Sequence, residues 1–170
     1  MCSSDLTELE QRAVATLVKY ASRADDLAQW TPALEPPGTP QAIRTQWCHG
    51  APGMVSSLAS LAPDDEQLSE LLLAGGELTW QAGPLKEGAN LCHGTAGNGY
   101  AFLKLFERTG DELWLERARR FAVHALDQAE RIATANGRRR YSLFTGDVGT
   151  ALFAAACLDL DARFPIIDVM

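Results

Sequence analysis

Two cysteine–histidine–glycine triplets, Cys48-His49-Gly50 and Cys92-His93-Gly94, stand 44 residues apart in a chain of 170 residues. Thiolate and imidazole are donors that zinc prefers, and three protein donors with an open fourth position are the count of a catalytic site. Two cysteines and one histidine supply that count; a structural site takes four. The spacing is not a C-x-x-C pair, so buried, inert thiols remain the bland alternative. It also leaves His49 and His93 both open as the third donor. Of the other cysteines, Cys2 reads as a terminal thiol, and Cys157 falls in an apolar run and reads as core. Without a secretory signal, four cysteines point to free thiols or metal ligands rather than a disulfide framework.

Each triplet opens a repeat, and the repeat is what must position the cysteines. The copies are Cys48-His49-Gly50-Ala51-Pro52-Gly53, Cys92-His93-Gly94-Thr95-Ala96-Gly97 and Phe144-Thr145-Gly146-Asp147-Val148-Gly149. Each is a G-x-x-G step followed by an apolar run: Met54 to Leu61, Tyr100 to Phe106 and Thr150 to Leu158. Offsets of 44 and 52 residues suit a pair of helices per copy. If the copies are equivalent, Cys48 and Cys92 are neighbours on one rim and face a central cavity. The glycines would let the backbone turn into each helix and approach a bound group closely.

Between the copies lie amphipathic segments, Asp65 to about Gln81 and Asp111 to about Ala135. The second carries Trp114, Ala118, Phe121, Ala122, Ala125 and Ala129 on one face. Asp64 with Gln67, and Thr109 with Glu112, read as capping boxes at their starts. These helices have a wet side, whereas the runs after each G-x-x-G have almost none, so inner and outer helices alternate. A first amphipathic helix is expected from Asp5 to about Leu27, capped by Asp5 and Glu8, with Leu6, Leu9, Ala13, Leu17 and Ala21 as its apolar stripe. The prolines and glycine of residues 31–46 make a loop. No segment alternates convincingly with period two, so no sheet is expected. The fold class is all-α, an α/α barrel or solenoid. Its terminal hairpins leave faces for further repeats, expected upstream in a longer chain or in a partner.

Composition narrows the function. With 46% hydrophobic residues the chain holds one core, so residues 1–170 form a single domain. The net charge of -7, with Arg138-Arg139-Arg140 as the only dense basic run, excludes a nucleic-acid footprint but leaves an anionic small ligand open. The start Met1-Cys2-Ser3-Ser4-Asp5 has no signal-peptide character, and no apolar stretch is long enough for a transmembrane segment, so a soluble cytoplasmic protein is expected.

The chain resembles the LanC-like proteins, which include bacterial lanthionine cyclases and their stand-alone and eukaryotic relatives. The matching residues are Trp47 to Gly53, then Leu91-Cys92-His93-Gly94-Thr95-Ala96-Gly97-Asn98-Gly99-Tyr100-Ala101-Phe102, then Tyr141-Ser142-Leu143-Phe144-Thr145-Gly146 and Arg163-Phe164-Pro165. They cover nearly everything from Trp47 onward, in the family's order. The resemblance implies an α/α toroid of seven inner and seven outer helices, of which this chain supplies about three hairpins. It implies zinc held by Cys48, Cys92 and His93, with His49 not a ligand.

The implied activity is zinc-dependent activation of a thiol for addition to dehydroalanine or dehydrobutyrine, forming a thioether. The thiol is a peptide cysteine in the cyclases and glutathione in the eukaryotic relatives, with a dehydrated peptide or damaged protein as acceptor. The enolate left by addition must be protonated. The family's histidine and aspartate for that task lie upstream of the first zinc cysteine and match nothing here, so the chain is expected to hold the zinc ligands without the full catalytic set. His124, beside the apolar stripe of an outer helix, reads as a packed or surface residue. Lys86 and Arg138, Arg139 and Arg140 fall where the relatives place a lysine and an arginine that contact glutathione, although the local pattern Lys86-Glu87-Gly88 differs. Ordinary solvated charge explains them equally well. The alternative function is a zinc- and glutathione-binding protein without turnover. A toroid glycosidase would need paired carboxylates, and Asp147 is the only acid in the repeat loops.

Overall fold

A computed structural model describes residues 3–31 and 44–168, without the side chains of Ser3 and Ser4. Cys2 and most of the proline-rich loop, residues 32–43, lie outside the described residues.

The chain is all-α apart from one small hairpin: α1 (Ser3–Tyr20), β1 (Ser22–Ala24), β2 (Leu27–Gln29), α2 (Ala51–Leu58), α3 (Glu66–Ala82), α4 (Thr95–Thr109), α5 (Glu112–Asn136) and α6 (Asp147–Asp159). The three helices that follow the G-x-x-G steps pack in a row, α2 on α4 and α4 on α6. Helices α3 and α5 lie outside them, with α1 on α3. This is the inner and outer alternation of an α/α toroid fragment. Helix α4, in the middle of the row, is buried from Thr95 through Leu105. That continuous burial is what an apolar-all-round helix requires. Gly99 lets the inner helices meet: a Cβ there would stand 2.1 Å from Cζ of Phe153 on α6. Trp80, Phe102, Trp114 and Phe121 fill the space between inner and outer layers, with Phe102 and Phe121 edge to face at 4.9 Å.

Several local expectations are corrected. The first helix stops at Tyr20, and an antiparallel hairpin pairing Ser22 with Gln29 follows where helix was expected to run on to Leu27. Its strands are three residues each, too short to show an alternation. Asp5 sits inside the first turn of α1 rather than at its cap. The buried side of α1 is Val14 with half-buried Leu17 and Val18, while Leu6 and Leu9 are exposed. The helix is tied down where Trp30 Nε1 donates to the Leu17 carbonyl at 2.8 Å and where Glu10 Oε1 accepts from Ala62 N at 3.4 Å. The caps of α3 and α5 are Asp65, accepting from Leu68 N, and Asp111, accepting from Leu113 N. Each lies C-terminal to the expected cap, because a carboxylate directly before the first turn reaches the free N–H groups better than one further out. Thr109 instead turns its hydroxyl back onto the Leu105 carbonyl.

Candidate functional site at the repeat loops

The three loops before the inner helices are coiled alike, and the glycines show why. In every copy the first glycine faces the carbonyl six residues upstream. A Cβ on Gly50 would stand 1.8 Å from the Arg44 oxygen, on Gly94 2.6 Å from that of Gly88, and on Gly146 2.4 Å from that of Arg140. The second glycine repeats the relation with Trp47 (1.9 Å), Leu91 (1.8 Å) and Leu143 (2.2 Å). The close approach expected of these glycines is therefore to the chain's own backbone.

Equivalent positions of successive loops are then hydrogen-bonded in a row. Cys48 N donates to the Cys92 carbonyl at 3.1 Å, and Cys92 N donates to that of Phe144 at 2.9 Å. A second relation reinforces it. Asn98 Nδ2 donates to the Thr45 carbonyl at 2.6 Å, and Thr150 Oγ1 to the Ala89 carbonyl at 3.0 Å. Each donor lies four residues after its copy's first glycine, and each acceptor five before that of the preceding copy. Sequence reasoning misses both Asn98 and Thr150. The signal that could have found them is a polar side chain at the same register of two otherwise apolar helices.

This ladder brings Cys48 and Cys92 together. Both are half-buried free thiols, held as neighbours by the Cys48 N to Cys92 O bond. Burial pushes the Cys48 thiol above the ordinary thiol range, and Cys92 beside it pushes in the same direction. His93 is half-buried one residue beyond Cys92, with its N–H donating to Asn90 Oδ1 at 3.1 Å. His49 is exposed, its backbone bridged to Gln46. Among the described residues no three histidine, cysteine, aspartate or glutamate side chains form a group that could hold a metal. The structure thus assembles the two thiols, while the His93 imidazole does not complete a three-donor group with them.

Next to this rim, Lys86, Arg138 and Arg140 line a cavity of about 640 Å³ together with Glu87, Asn90 and Asp147. Asn90 connects the two regions, lining the cavity with its side chain bonded to His93 N. The Lys86 loop is anchored by α5: Gln128 Nε2 donates to the Leu85 carbonyl at 2.7 Å, and Gln128 Oε1 accepts from Thr95 Oγ1 at 3.0 Å. Arg139 departs from its neighbours, turning away to ion-pair with Glu130 and Asp147. His124 is half-buried on α5, and Cys157 is buried in the core. No described helix is long and apolar enough to cross a membrane.

The family model for lanthionine synthetase C-like proteins matches residues 2–169. Among curated proteins, the chain is 38% identical over 135 residues to "Glutathione S-transferase LANCL1" of Danio rerio, covering 78% of this chain and 33% of that protein. It is 35% identical over 135 residues to "LanC-like protein GCL1" of Arabidopsis thaliana, covering 75% of this chain and 31% of that one. The alignments thus span about a third of the length of these relatives. A glycine-coiled loop repeated three times, a thiol pair on its rim and a family match over nearly every residue lead to one conclusion: the chain belongs to the LanC-like family.

Proposed function

We propose that this chain carries the thiol-binding rim of a lanthionine synthetase C-like protein, with zinc held by Cys48, Cys92 and His93. The reaction served is addition of a glutathione or peptide cysteine thiol to dehydroalanine or dehydrobutyrine. The observation that carries the reading is the placement of Cys48 and Cys92 at equivalent positions of loops that the Cys48 N to Cys92 O bond joins directly. The donor chemistry suits the metal: two soft ligands stand on neighbouring loops, and an imidazole donor follows the second in sequence. Zinc, when bound, would keep a substrate thiol ionised at neutral pH.

The rest of the work falls to the protein. Lys86, Arg138 and Arg140 offer cations to the two carboxylates of glutathione, and Glu87 offers an anion to its ammonium. A cavity bearing both signs suits a zwitterion better than a simple anion. Its volume lies within the range of small-molecule pockets, on the order of 300–1,000 Å³. Asn90, shared by the cavity wall and the His93 backbone, would orient the bound tripeptide's thiol toward the cysteine pair.

The test is zinc content by elemental analysis together with glutathione titration of the purified chain. We expect near-equimolar zinc, lost in Cys48→Ala and in Cys92→Ala, and glutathione affinity reduced about tenfold in Lys86→Gln with zinc retained. A folded chain free of zinc would overturn the assignment. Both ligands bound, but no thioether product from a dehydroalanine peptide once an upstream region carrying the family's histidine and aspartate is supplied, would return the non-catalytic binding protein instead.

A further inference from the structure

The segment after α6 carries a clamp that reaches the cysteine loop from beneath. Lys104 is buried in the middle of α4, an expensive place for an ammonium without partners. Its Nζ meets Asp168 Oδ2 at 2.9 Å and Glu107 at 3.7 Å. The same Asp168 oxygen accepts from Phe164 N at 2.6 Å, and the Phe164 carbonyl accepts in turn from Ile167 N and Asp168 N. Asp168 therefore ties a closed turn, residues 164–168, to a fixed point on the central inner helix.

What the turn delivers is the Phe164 ring. It is 2% exposed and stacks on Trp47 with centroids 4.5 Å apart and planes 11° apart, while its other neighbour, Tyr100, lies at 4.8 Å. Trp47 immediately precedes Cys48, and its ring also meets Phe144, whose carbonyl accepts from Cys92 N. The buried Trp47 Nε1 has no hydrogen-bond partner among the described residues, so packing and not hydrogen bonding orients the indole. Phe164 is the closest and flattest of its ring contacts.

We propose that Asp168 and Lys104 are positioning residues for the thiol pair: the ion pair seats Phe164, Phe164 seats Trp47, and Trp47 sets the spacing of Cys48 from Cys92. The proposal rests on the reading of that pair as the functional rim. It adds residues outside the cysteine loops, with Phe164 and Asp168 far along the chain from Cys48.

The spacing can be read without metal. In a Cys2→Ser background, phenylarsine oxide titrated into metal-stripped protein bridges two thiols only when both face one arsenic. Zinc affinity is measured in parallel by competition with a chromogenic chelator. We expect Asp168→Asn to weaken both by about tenfold, the lower end for residues that orient metal ligands. Asp168→Glu should recover most of the loss, because it keeps the charge. Phe164→Leu, which leaves the ion pair in place, should reproduce the defect with the helical circular dichroism unchanged. Wild-type affinity for both probes in Asp168→Asn, even with a lowered melting temperature, would reduce the clamp to fold stability and overturn the proposal. Should the parent protein bind the arsenical but no zinc, the zinc reading fails, and the arsenical series still decides the clamp.

Discussion

Gly97 offers the sharpest separation between what local propensity and tertiary packing demand. It is the third residue of α4, where alanine is favoured over glycine by roughly 0.5–1 kcal/mol on backbone entropy alone. Propensity therefore makes Gly97→Ala stabilising. The structure reverses the sign. A Cβ at Gly97 would lie 1.8 Å from the Leu91 oxygen, and must retreat by about 1.2 Å to reach 3.0 Å, a separation below which real Cβ contacts essentially never fall. Leu91 is fully buried and directly precedes Cys92, so the loop cannot yield without straining both rungs of the ladder, Cys48 N to Cys92 O and Cys92 N to Phe144 O. Overpacking costs about 1–3 kcal/mol. Two weakened hydrogen bonds add roughly 1 kcal/mol each. Set against the propensity gain, the net loss is about 3 kcal/mol.

The control is Gly110→Ala. Gly110 ends α4 in the left-handed conformation at φ 69°, with nothing within 4 Å of the point where a Cβ would stand. The cost there is conformational only, about 1 kcal/mol. Urea denaturation followed by circular dichroism gives both values. We expect Gly97→Ala to lose at least twice as much as Gly110→Ala, and to lose zinc at the same time. A Gly97→Ala protein as stable as the parent, or more so, would refute the close approach on which the ladder argument depends.

Other outcomes follow from the same packing. Arg108 donates to the carbonyls of Ala59, Leu61 and Ala62 and to Ser69 Oγ, closing the end of α2 onto the start of α3; Arg108→Met should cost about 2–3 kcal/mol in urea denaturation by stranding those acceptors. The Cys157 thiol, 2% exposed, is pushed up to about 12 by burial, so under native conditions at pH 8 it should react with a disulfide reagent far more slowly than Cys48 and Cys92 in a Cys2→Ser background. A raised folded-state value means that the stability contribution is complete below the ordinary thiol range and disappears as pH climbs toward 12; the fall in melting temperature above pH 9 should be shallower in Cys157→Ala. Gln128→Leu should loosen the Lys86 loop, lowering glutathione affinity about tenfold while zinc content, measured on the same sample, stays at the parent level.

The contrast between what can and cannot be read in the sequence has a physical cause. The alternation of inner and outer helices is legible because burial on all sides and burial on one side leave different periodicities, and α4 and α5 carry them cleanly. The nearness of Cys48 and Cys92 is legible because a repeat converts equal sequence register into equal place on the rim. The rungs donated by Asn98 and Thr150 are not, since one polar residue in an apolar helix looks the same whether it bonds its own turn or a neighbouring loop. Arg138, Arg139 and Arg140 form one charge run in sequence, yet two of them line the cavity and the middle one is taken up by Glu130 and Asp147, because a non-helical stretch of chain sends successive side chains to different sides.

The apolar surface explains the remaining departures. Periodicity puts Leu6 and Leu9 of α1 in a buried stripe, and Leu152 and Leu158 of α6 in an inner run, yet all four are exposed. Periodicity reports which side of a helix is apolar; it does not report whether anything lies against that side. A helix inside the row, such as α4, has partners on every side from this chain alone. α6, in contact with α4 and α5, leaves Leu152 and Leu158 exposed, and α1, in contact with α3, leaves Leu6 and Leu9 exposed. Cys48 and Cys92 belong to the loops that lead into α2 and α4, whose packing, rungs and glycine contacts are internal to the chain, so their nearness does not wait on whatever meets α1 or the outer side of α6.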